Sequence, residues 1–412
     1  MTAEEILPNS NIFWTGVNDY TNNLFEGIWP VGKNGVSINS YVIKANKNVL
    51  IDLVKAGGGG SSENIIDQLA SIDLKPDQID YLILNHLEPD HTGFLESFRM
   101  ICPNAEILTS KKGVPLVKEF YGIENKVRAI EDGESLDIGD GKKLVFYYIP
   151  NVHWPETMVT YEVSNKILFS CDAFGSFGAF RGGIFDDTIT NEDHEFFERE
   201  SLRYYANIVG PFSNSVLSAI EKASKLEIKV IAPSHGIIWR KNPEKIIKRY
   251  IRYANYMNDY AEPNITVIWG SMYGNTETII RAVLKGISKI GIPVRILKVP
   301  ETDISYILAE AWESAGLVIA MPTYEYKMFP PMKYVLDLFD YKHVWHKKVI
   351  RIGSYGWSGG AEKHFLELVK NLKWDIVGTL EYQGAPKEND FKQAEKLGEE
   401  LANQVKKLPK KI

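Results

Sequence analysis

Four side chains able to bind a metal stand within one short run, Asn85-His86-Leu87-Glu88-Pro89-Asp90-His91: His86, Glu88, Asp90 and His91. They follow directly on the apolar stretch Tyr81-Leu82-Ile83-Leu84. A strand that ends in such a run delivers its ligands together at a sheet edge, and a mixture of imidazole and carboxylate suits iron or manganese at least as well as zinc. Three further apolar runs end in the same way: Phe146 to Ile149 before His153, Ile167 to Phe169 before Asp172, and Val230 to Ala232 before His235. One edge is expected to collect all of these residues. Four imidazoles and three carboxylates are enough for two metals with a bridging carboxylate and open positions for a diatomic substrate.

Each of these residues has an ordinary use when taken singly. A histidine before a turn, such as His153 or His235, is commonly structural, Asp172 could cap a helix or a turn, and Glu88 and Asp90 could be solvated charges. Their joint occurrence at matching strand ends favours the metal reading. His194, His343, His346 and His364 lack that setting and are assigned structural or surface roles.

A second constellation lies downstream. Gly270-Ser271-Met272-Tyr273-Gly274-Asn275-Thr276 sits between an expected strand and an expected helix, where amides and hydroxyls at a helix N-terminus cradle an anion. It lacks the lysine of a P-loop and the spacing of a dinucleotide-binding turn, so a phosphate monoester such as that of FMN fits better than ATP or NAD. Two more loops follow expected strands: Pro322-Thr323-Tyr324-Glu325-Tyr326, and Ser354-Tyr355-Gly356-Trp357-Ser358-Gly359-Gly360. Aromatics beside glycines let a flat ring stack while the backbone comes close. Either loop alone would read as a surface or interface loop; three loops, at the ends of expected strands one, three and four, read as a flavin site.

The elements that must position these residues are strand and helix in alternation. In the first part, strand-like runs at Asn11 to Val17, Ser37 to Lys44 and Val49 to Leu53 precede a helical stretch at Glu63 to Ser71. The intervening Gly57-Gly58-Gly59-Gly60-Ser61-Ser62 reads as a flexible surface loop. Residues Glu195 to Leu226 read as one helical region, followed by a strand at Ile228 to Ala232. A long helix from Pro243 ends before Pro263, which puts a domain boundary near Asp259 to Asn264, between domains 1–259 and 260–412. Beyond it come five βα units with strands at Ile265 to Trp269, Val294 to Lys298, Leu317 to Ala320, Lys348 to Gly353 and Asp375 to Leu380. That is an α/β doubly wound parallel sheet, whose ligand belongs at the carboxyl ends of the strands.

Bulk composition narrows the function. With 412 residues, 44% of them hydrophobic, the chain can bury substantial cores. Its net charge of -6 gives no global attraction to nucleic acid or to an anionic membrane. Two cysteines, Cys102 and Cys171, are too few for a four-thiolate iron site, so a redox centre must use other ligands. An N-terminus without an export signal and the absence of apolar runs of bilayer length make the cytoplasm the expected compartment, with both thiols reduced.

The ligand run resembles the HxHxDH loop of the metallo-β-lactamase superfamily, with Glu88 in place of the second histidine. His86-x-Glu88-x-Asp90-His91, followed by His153, Asp172 and His235, is similar to the flavodiiron proteins, or A-type flavoproteins. The stretches around Asn151-Val152-His153-Trp154-Pro155, Phe169-Ser170-Cys171-Asp172 and Pro233-Ser234-His235-Gly236 carry the same resemblance, and the 260–412 half resembles a flavodoxin. The likeness covers essentially the whole chain. It implies an αββα metallo-β-lactamase-like sandwich followed by a five-stranded flavodoxin-like domain, with two non-haem irons and FMN as cofactors. By resemblance, His86, Glu88 and His153 hold one iron, Asp90, His91 and His235 the other, and Asp172 bridges. Ser271, Met272, Tyr273, Gly274, Asn275 and Thr276 belong to the phosphate loop. Pro322, Thr323, Tyr324, Ser354, Tyr355, Gly356, Trp357 and Gly359 lie near the ring. Glu325 and Tyr326 depart from the asparagines that family members often carry there.

The implied activity is reduction of dioxygen to water, of nitric oxide to nitrous oxide, or both. Rubredoxin or a reduced deazaflavin is the implied electron donor, and a head-to-tail homodimer or a dimer of dimers the implied assembly. Because no rubredoxin-like or flavin-reductase segment follows Ile412, the minimal two-domain form is expected. Two rivals stay open: a zinc-dependent hydrolase with an accessory flavodoxin domain, and a non-catalytic FMN electron carrier or gas sensor.

Overall fold

The structure is a computed structural model that describes residues 2–55 and 61–410. The Gly57 to Gly60 run lies outside the described residues, whereas Ser61 and Ser62 open a helix. By internal contacts the chain divides into two compact units, Met1–Tyr205 with Asn214–Ile251, and Ala206–Ser213 with Arg252–Ile412.

The first unit holds two sheets. One runs in chain order through β1 (Glu4–Glu5), β2 (Ile12–Asp19), β3 (Val36–Ile43), β4 (Asn48–Ile51), β5 (Ile79–Leu84), β6 (Glu106–Ser110) and β7 (Val127–Ile130). Its first half is antiparallel and its second half, from β4 onward, is parallel. The other sheet runs through β8 (Ser135–Gly139), β9 (Lys142–Tyr148), β10 (Met158–Glu162), β11 (Ile167–Cys171) and β12 (Val230–Pro233), with only the last pair parallel. The two sheets meet: the ring of Tyr41 packs 5.1 Å from that of Phe169, and the Tyr41 hydroxyl donates to the Pro233 carbonyl at 2.6 Å. Strand β3 is buried along its whole length, as a strand covered on both faces must be. Helices α1 (Ser61–Ala70), α3 (Leu95–Ile101) and α4 (Gly113–Tyr121) cover the outer face of the first sheet with Ile65, Leu69, Phe98 and Val117, one side of an αββα layering.

The region expected to be helical from Glu195 to Leu226 is helical from Asn191 to Ala223 and comprises two α-helices. Helix α5 (Asn191–Tyr204) starts with Thr190 and Asp193 capping each other and α6 (Ser213–Ala223) follows after a break. Between them lie a π-turn at Tyr205–Val209 and a 3-10 turn at Gly210–Phe212. Pro211 has no N–H to donate to the preceding turn, so a continuous helix cannot pass through it.

The second unit is a parallel sheet ordered β14-β13-β15-β16-β17, from β13 (Glu262–Trp269), β14 (Val294–Lys298), β15 (Ser314–Ala320), β16 (Lys348–Tyr355) and β17 (Asp375–Gln383). Strand order reverses beside the first strand, which opens a crevice at the carboxyl ends of β13, β15 and β16. Helices α8 (Asn275–Ser288) and α12 (Glu388–Lys406) pack together on one face with Val283, Ile287, Leu401 and Val405 in the core. Among the described residues no helix is long and apolar enough to cross a membrane.

At the far end of β16, away from the crevice, Lys347 is fully buried and donates to the Trp312 carbonyl at 2.8 Å. Burial lowers its pKa to about 7, with the Glu313 carboxylate pulling the other way. Below that pH the folded and unfolded chains both hold the proton; from there up to the ordinary lysine range only the unfolded chain does, so stability rises with pH across that window. Lys347→Met removes this titration. Urea unfolding between about pH 7 and 9 is expected to show the wild-type chain gaining on the variant as pH rises; a pH-independent difference would contradict the assignment.

Candidate metal centre and flavin pocket

The sequence expectation of a single sheet edge is corrected by the structure: the ligand-type residues come from the strand ends of two different sheets. His86 lies just past β5 in the first sheet, and Glu88, Asp90 and His91 continue into the short helix α2 (Pro89–Thr92). His153, Asp172 and His235 follow β9, β11 and β12 of the second sheet. Two sheets that share one end can surround a point, which a single row of strand ends cannot.

The seven residues form two groups. His86, Glu88, His153 and Asp172 offer ligand atoms within 4.8 Å of one another, and so do Asp90, His91 and His235. Asp172 joins the groups. Its Oδ2 lies 3.1 Å from His153 Nε2 and 3.6 Å from His86 Nε2, and its Oδ1 lies 3.0 Å from His91 Nε2 and 3.6 Å from His235 Nε2. Glu88 Oε2 closes the first group, 2.9 Å from His153 and 3.2 Å from His86. Asp90 Oδ2 closes the second, 3.1 Å from His235 and 3.4 Å from His91.

The loops are held from behind. His235 Nδ1 donates to the Ser37 carbonyl at 2.7 Å, which makes Nε2 the lone-pair nitrogen of the neutral ring and aims it into the cluster. Gly236 follows at φ +78, and a Cβ there would stand 2.1 Å from Ser176 Oγ, so the turn after His235 requires glycine. Asn39 donates to the carbonyls of Pro233 and Gly236 at 2.8 and 2.9 Å. On the other side the buried Glu156 accepts from His86 Nδ1 at 2.8 Å and from the Leu87 N–H at 3.0 Å. Asp52 accepts twice from Asn85, whose side-chain oxygen accepts from Thr160 in the second sheet. Glu156, Ser37, Asn39 and Asp52 escaped the sequence reading. Glu156, a carboxylate three residues beyond His153, carried a signal that could have been used; the others act through carbonyls or at a distance in sequence.

Electrostatics follow from this crowding. Burial disfavours the charged forms of His86 and His153, yet hydrogen bonds to Glu156, Glu88 and Asp172 outweigh it and raise both to about 10. His91, also buried, is raised to about 9 by the charges of Asp90 and Asp172. Burial pushes Glu88 and Asp172 up, but the surrounding imidazoles win and hold both low. The cluster therefore keeps its carboxylates ionised and demands positive charge at its centre. Protons on imidazole supply it here, and a pair of cations bound through the same atoms would supply it better. The fit is specific: both Asp90 oxygens, Asp172 Oδ2 and His235 Nε2 are buried without a well-aligned hydrogen-bond partner, as ligand atoms awaiting a cation are.

A cavity of about 240 Å³ with mixed walls opens onto Glu88 and Asp90; Asp19, Asn22 and Lys55 line it beside the apolar Leu24, Phe25, Val31, Val36 and Ile38. Phe25 stands edge-on to His235 at 5.4 Å, and Trp154 edge-on to His86 at 5.0 Å.

In the second unit a cavity of about 350 Å³ occupies the crevice. Ser271, Met272, Tyr273 and Asn275 line it from the first loop, Pro322, Thr323 and Tyr324 from the second, and Ser354, Tyr355, Gly356 and Trp357 from the third. Glu325, Tyr326, Ser358 and Gly384 line it too. Gly274, Thr276 and Gly359 are not in its walls, although they stand in the same loops. Gly274, at φ +91, is the N-cap of α8, and the hydroxyl of the fully buried Thr276 has no partner, which suits a phosphate at the helix N-terminus. Glu325 and Tyr326 adopt φ of +44 and +64 and turn a small hairpin between Thr323–Tyr324 and Lys327–Met328. Asparagine adopts that conformation readily, which accounts for its occurrence at such a turn. Gly359 makes room for the Glu381 carboxylate, 2.5 Å from where its Cβ would be, and beneath it lies the fully buried Arg351, 3.0 Å from Glu381 and 3.6 Å from Glu362. Of the remaining histidines, His364 Nδ1 accepts from the Met328 N–H, a structural contact.

Comparison with known proteins agrees with both halves. Residues 36–236 match the ODP family beta lactamase profile and residues 267–398 the flavodoxin profile. An anaerobic nitric oxide reductase flavorubredoxin from Enterobacter sp. (strain 638) is 33% identical over 97% of this chain and 82% of its own length. The chain belongs to the flavodiiron protein family. Among solved structures, the rubredoxin oxygen:oxidoreductase of Desulfovibrio gigas superposes with a TM-score of 0.90 at 26% identity, covering 98% of this chain and 99% of that one. An alanine mutant of the flavo di-iron protein of Thermotoga maritima gives 0.88 at 32% identity, covering 98% of each chain. This flavodiiron protein is thus an oxidoreductase with a metallo-β-lactamase-like part followed by a flavodoxin-like part.

Two outcomes test the supports of these sites. Glu156→Gln, which weakens the acceptor behind His86, is expected to lower metal affinity about 10- to 100-fold in chelator competition, with the circular dichroism spectrum unchanged. Arg351→Met leaves the buried Glu381 oxygen under the third crevice loop without its cation and is expected to cost about 3 kcal/mol of stability in thermal or urea unfolding; a neutral result would mean that Glu381 is not held by this arginine.

Proposed function

We propose that this flavodiiron protein reduces dioxygen to water, nitric oxide to nitrous oxide, or both, at two irons served by FMN. The observation that carries the reading is Asp172, one buried carboxylate with an oxygen turned to each imidazole group. In this reading His86, Glu88 and His153 hold one iron, Asp90, His91 and His235 hold the other, and Asp172 bridges. The iron-binding part is taken as residues 1–259 and the flavin part as 260–412. When bound, the irons supply Lewis acidity and one electron each and FMN supplies two more, matching the four electrons that dioxygen requires and exceeding the two for a pair of nitric oxides.

The chain's own residues prepare the site for that chemistry. Three carboxylates among the candidate ligands favour a harder metal such as iron over zinc held by histidine alone. The Ser37 carbonyl and the Glu156 carboxylate fix the rings of His235 and His86 so that each presents Nε2. Trp154 and Phe25 cover the imidazoles and keep bulk water from them. In the crevice of the second unit, Thr276 and the α8 N-terminus suit the FMN phosphate, and Tyr324, Tyr355 and Trp357 suit its ring. Rubredoxin or a reduced deazaflavin is proposed as the electron donor, a head-to-tail homodimer as the working assembly, and the cytoplasm as the compartment.

The test is anaerobic reduction of the iron- and FMN-loaded protein, followed by separate additions of dioxygen and nitric oxide with product and stoichiometry measured. Water without peroxide, or nitrous oxide at one per two nitric oxides, is the expected result, and Asp172→Ala is expected to abolish it. Two zincs per chain with hydrolytic activity and no gas consumption would overturn the reading. So would turnover unaffected by Asp172→Ala.

A further inference from the structure

Behind the metal cluster lies an apolar cavity of about 30 Å³ that shares no lining residue with the larger cavity over Glu88 and Asp90. Its outer wall is the face of α6 formed by Val216, Ala219, Ile220 and Ala223, spaced as one stripe of a helix. Val216 is buried, whereas Ala219, Ile220 and Ala223 are only half-buried, so the cavity reaches toward the surface along that stripe. Its inner wall includes Val152 and Ala173, the chain neighbours of His153 and Asp172.

The one hydroxyl in the lining, that of Ser170, is already committed to the Ala173 carbonyl at 2.8 Å. A water molecule needs two to four polar partners to settle, and this space offers none that is free, so it stays dry. By the standard that roughly 10–15 Å³ admits one water, the volume suffices for a diatomic molecule and excludes a flavin, a nucleotide or a peptide. An uncharged diatomic gas has no hydrogen bonds to lose on leaving water, so it gains from such a space where a polar substrate would not.

We propose that this cavity is a holding and approach site for the diatomic substrate, reached past α6 and ending one residue from His153 and Asp172. It separates the traffic of the centre: gas arrives through an apolar passage, while the wider cavity of mixed lining, with the charged Asp19 and Lys55 in its walls, serves water and protons. The inference rests on the gas-reductase reading of the metal centre and adds to it a binding site for the substrate.

Crystals of the holoprotein pressurised with xenon are expected to show a xenon atom between Ala219 and Val152. Ala219→Leu, which fills the space from the half-buried helix face, is expected to remove that atom and to raise the KM for the gas at least about threefold with kcat at saturation unchanged. Ala223→Leu, one helical turn further along the same half-buried stripe, is expected to act in the same direction and guards against a folding defect in the first variant, as do unchanged iron content and unfolding temperature. An absent xenon atom, or loss of xenon with an unchanged KM in both variants, would overturn the proposal. Xenon is read in the resting protein, so an empty cavity counts against this inference alone. A wild-type protein that consumes neither gas counts against the reading of the centre.

Discussion

The structure of the first unit turns on one buried carboxylate. Asp172 is almost wholly removed from water, and its two oxygens face two different sets of imidazoles at hydrogen-bonding or near-bonding distance. Two more carboxylates, Glu88 and Asp90, are drawn in beside it. Negative charge packed so densely is tolerable only with positive charge in contact, and imidazolium protons or metal cations are the two ways to provide it. The rest of the unit serves that constraint. Two sheets share one end, and the loops at that end are tied across the sheets by Asn39 to Pro233 and by Thr160 to Asn85.

The second unit answers a milder constraint. A flat ring and a phosphate need a crevice with an electropositive helix start on one side and stackable aromatics on the other, and a parallel sheet forms such a crevice where its strand order reverses. What is particular to this chain is the support beneath the third loop, where Arg351 sits between Glu381 and Glu362 in the protein interior. Gly359 gives Glu381 space, and Gly353 allows β16 to approach the Met321 carbonyl, where a Cβ would stand only 1.9 Å away. Loop position in this unit is therefore set by charge and by the absence of side chains as much as by hydrophobic packing.

Much of this was legible in the residues. The strand run expected at Val294 to Lys298 appears where periodicity put it, and the five parallel strands of the second unit follow from the regular βα alternation. The helical region from Glu195 onward was legible too, but not its division near Gly210-Pro211, where apolar spacing continues while regular α geometry does not. The candidate ligands were singled out from their places after apolar runs, and the structure brings them together in two groups, but the reading set them along one edge. Which strands share a sheet depends on pairing between segments distant in sequence, and periodicity within a segment carries no information about that. The Glu325-Tyr326 turn was noticed as a departure in type, and its positive φ angles, which suit asparagine, are visible only once the hairpin is seen.

The sequence by itself determined the inventory: which side chains can ligate, that each follows a strand, and that carboxylate replaces imidazole at Glu88, because covalent order and side-chain chemistry are local properties. Tertiary structure alone decided that Asp172 stands between two groups rather than within one, that Glu156 and Ser37 orient the rings, and that an apolar cavity lies against the backbone next to His153. Those are distances between residues separated by tens to hundreds of positions, and they exist only after two sheets have packed.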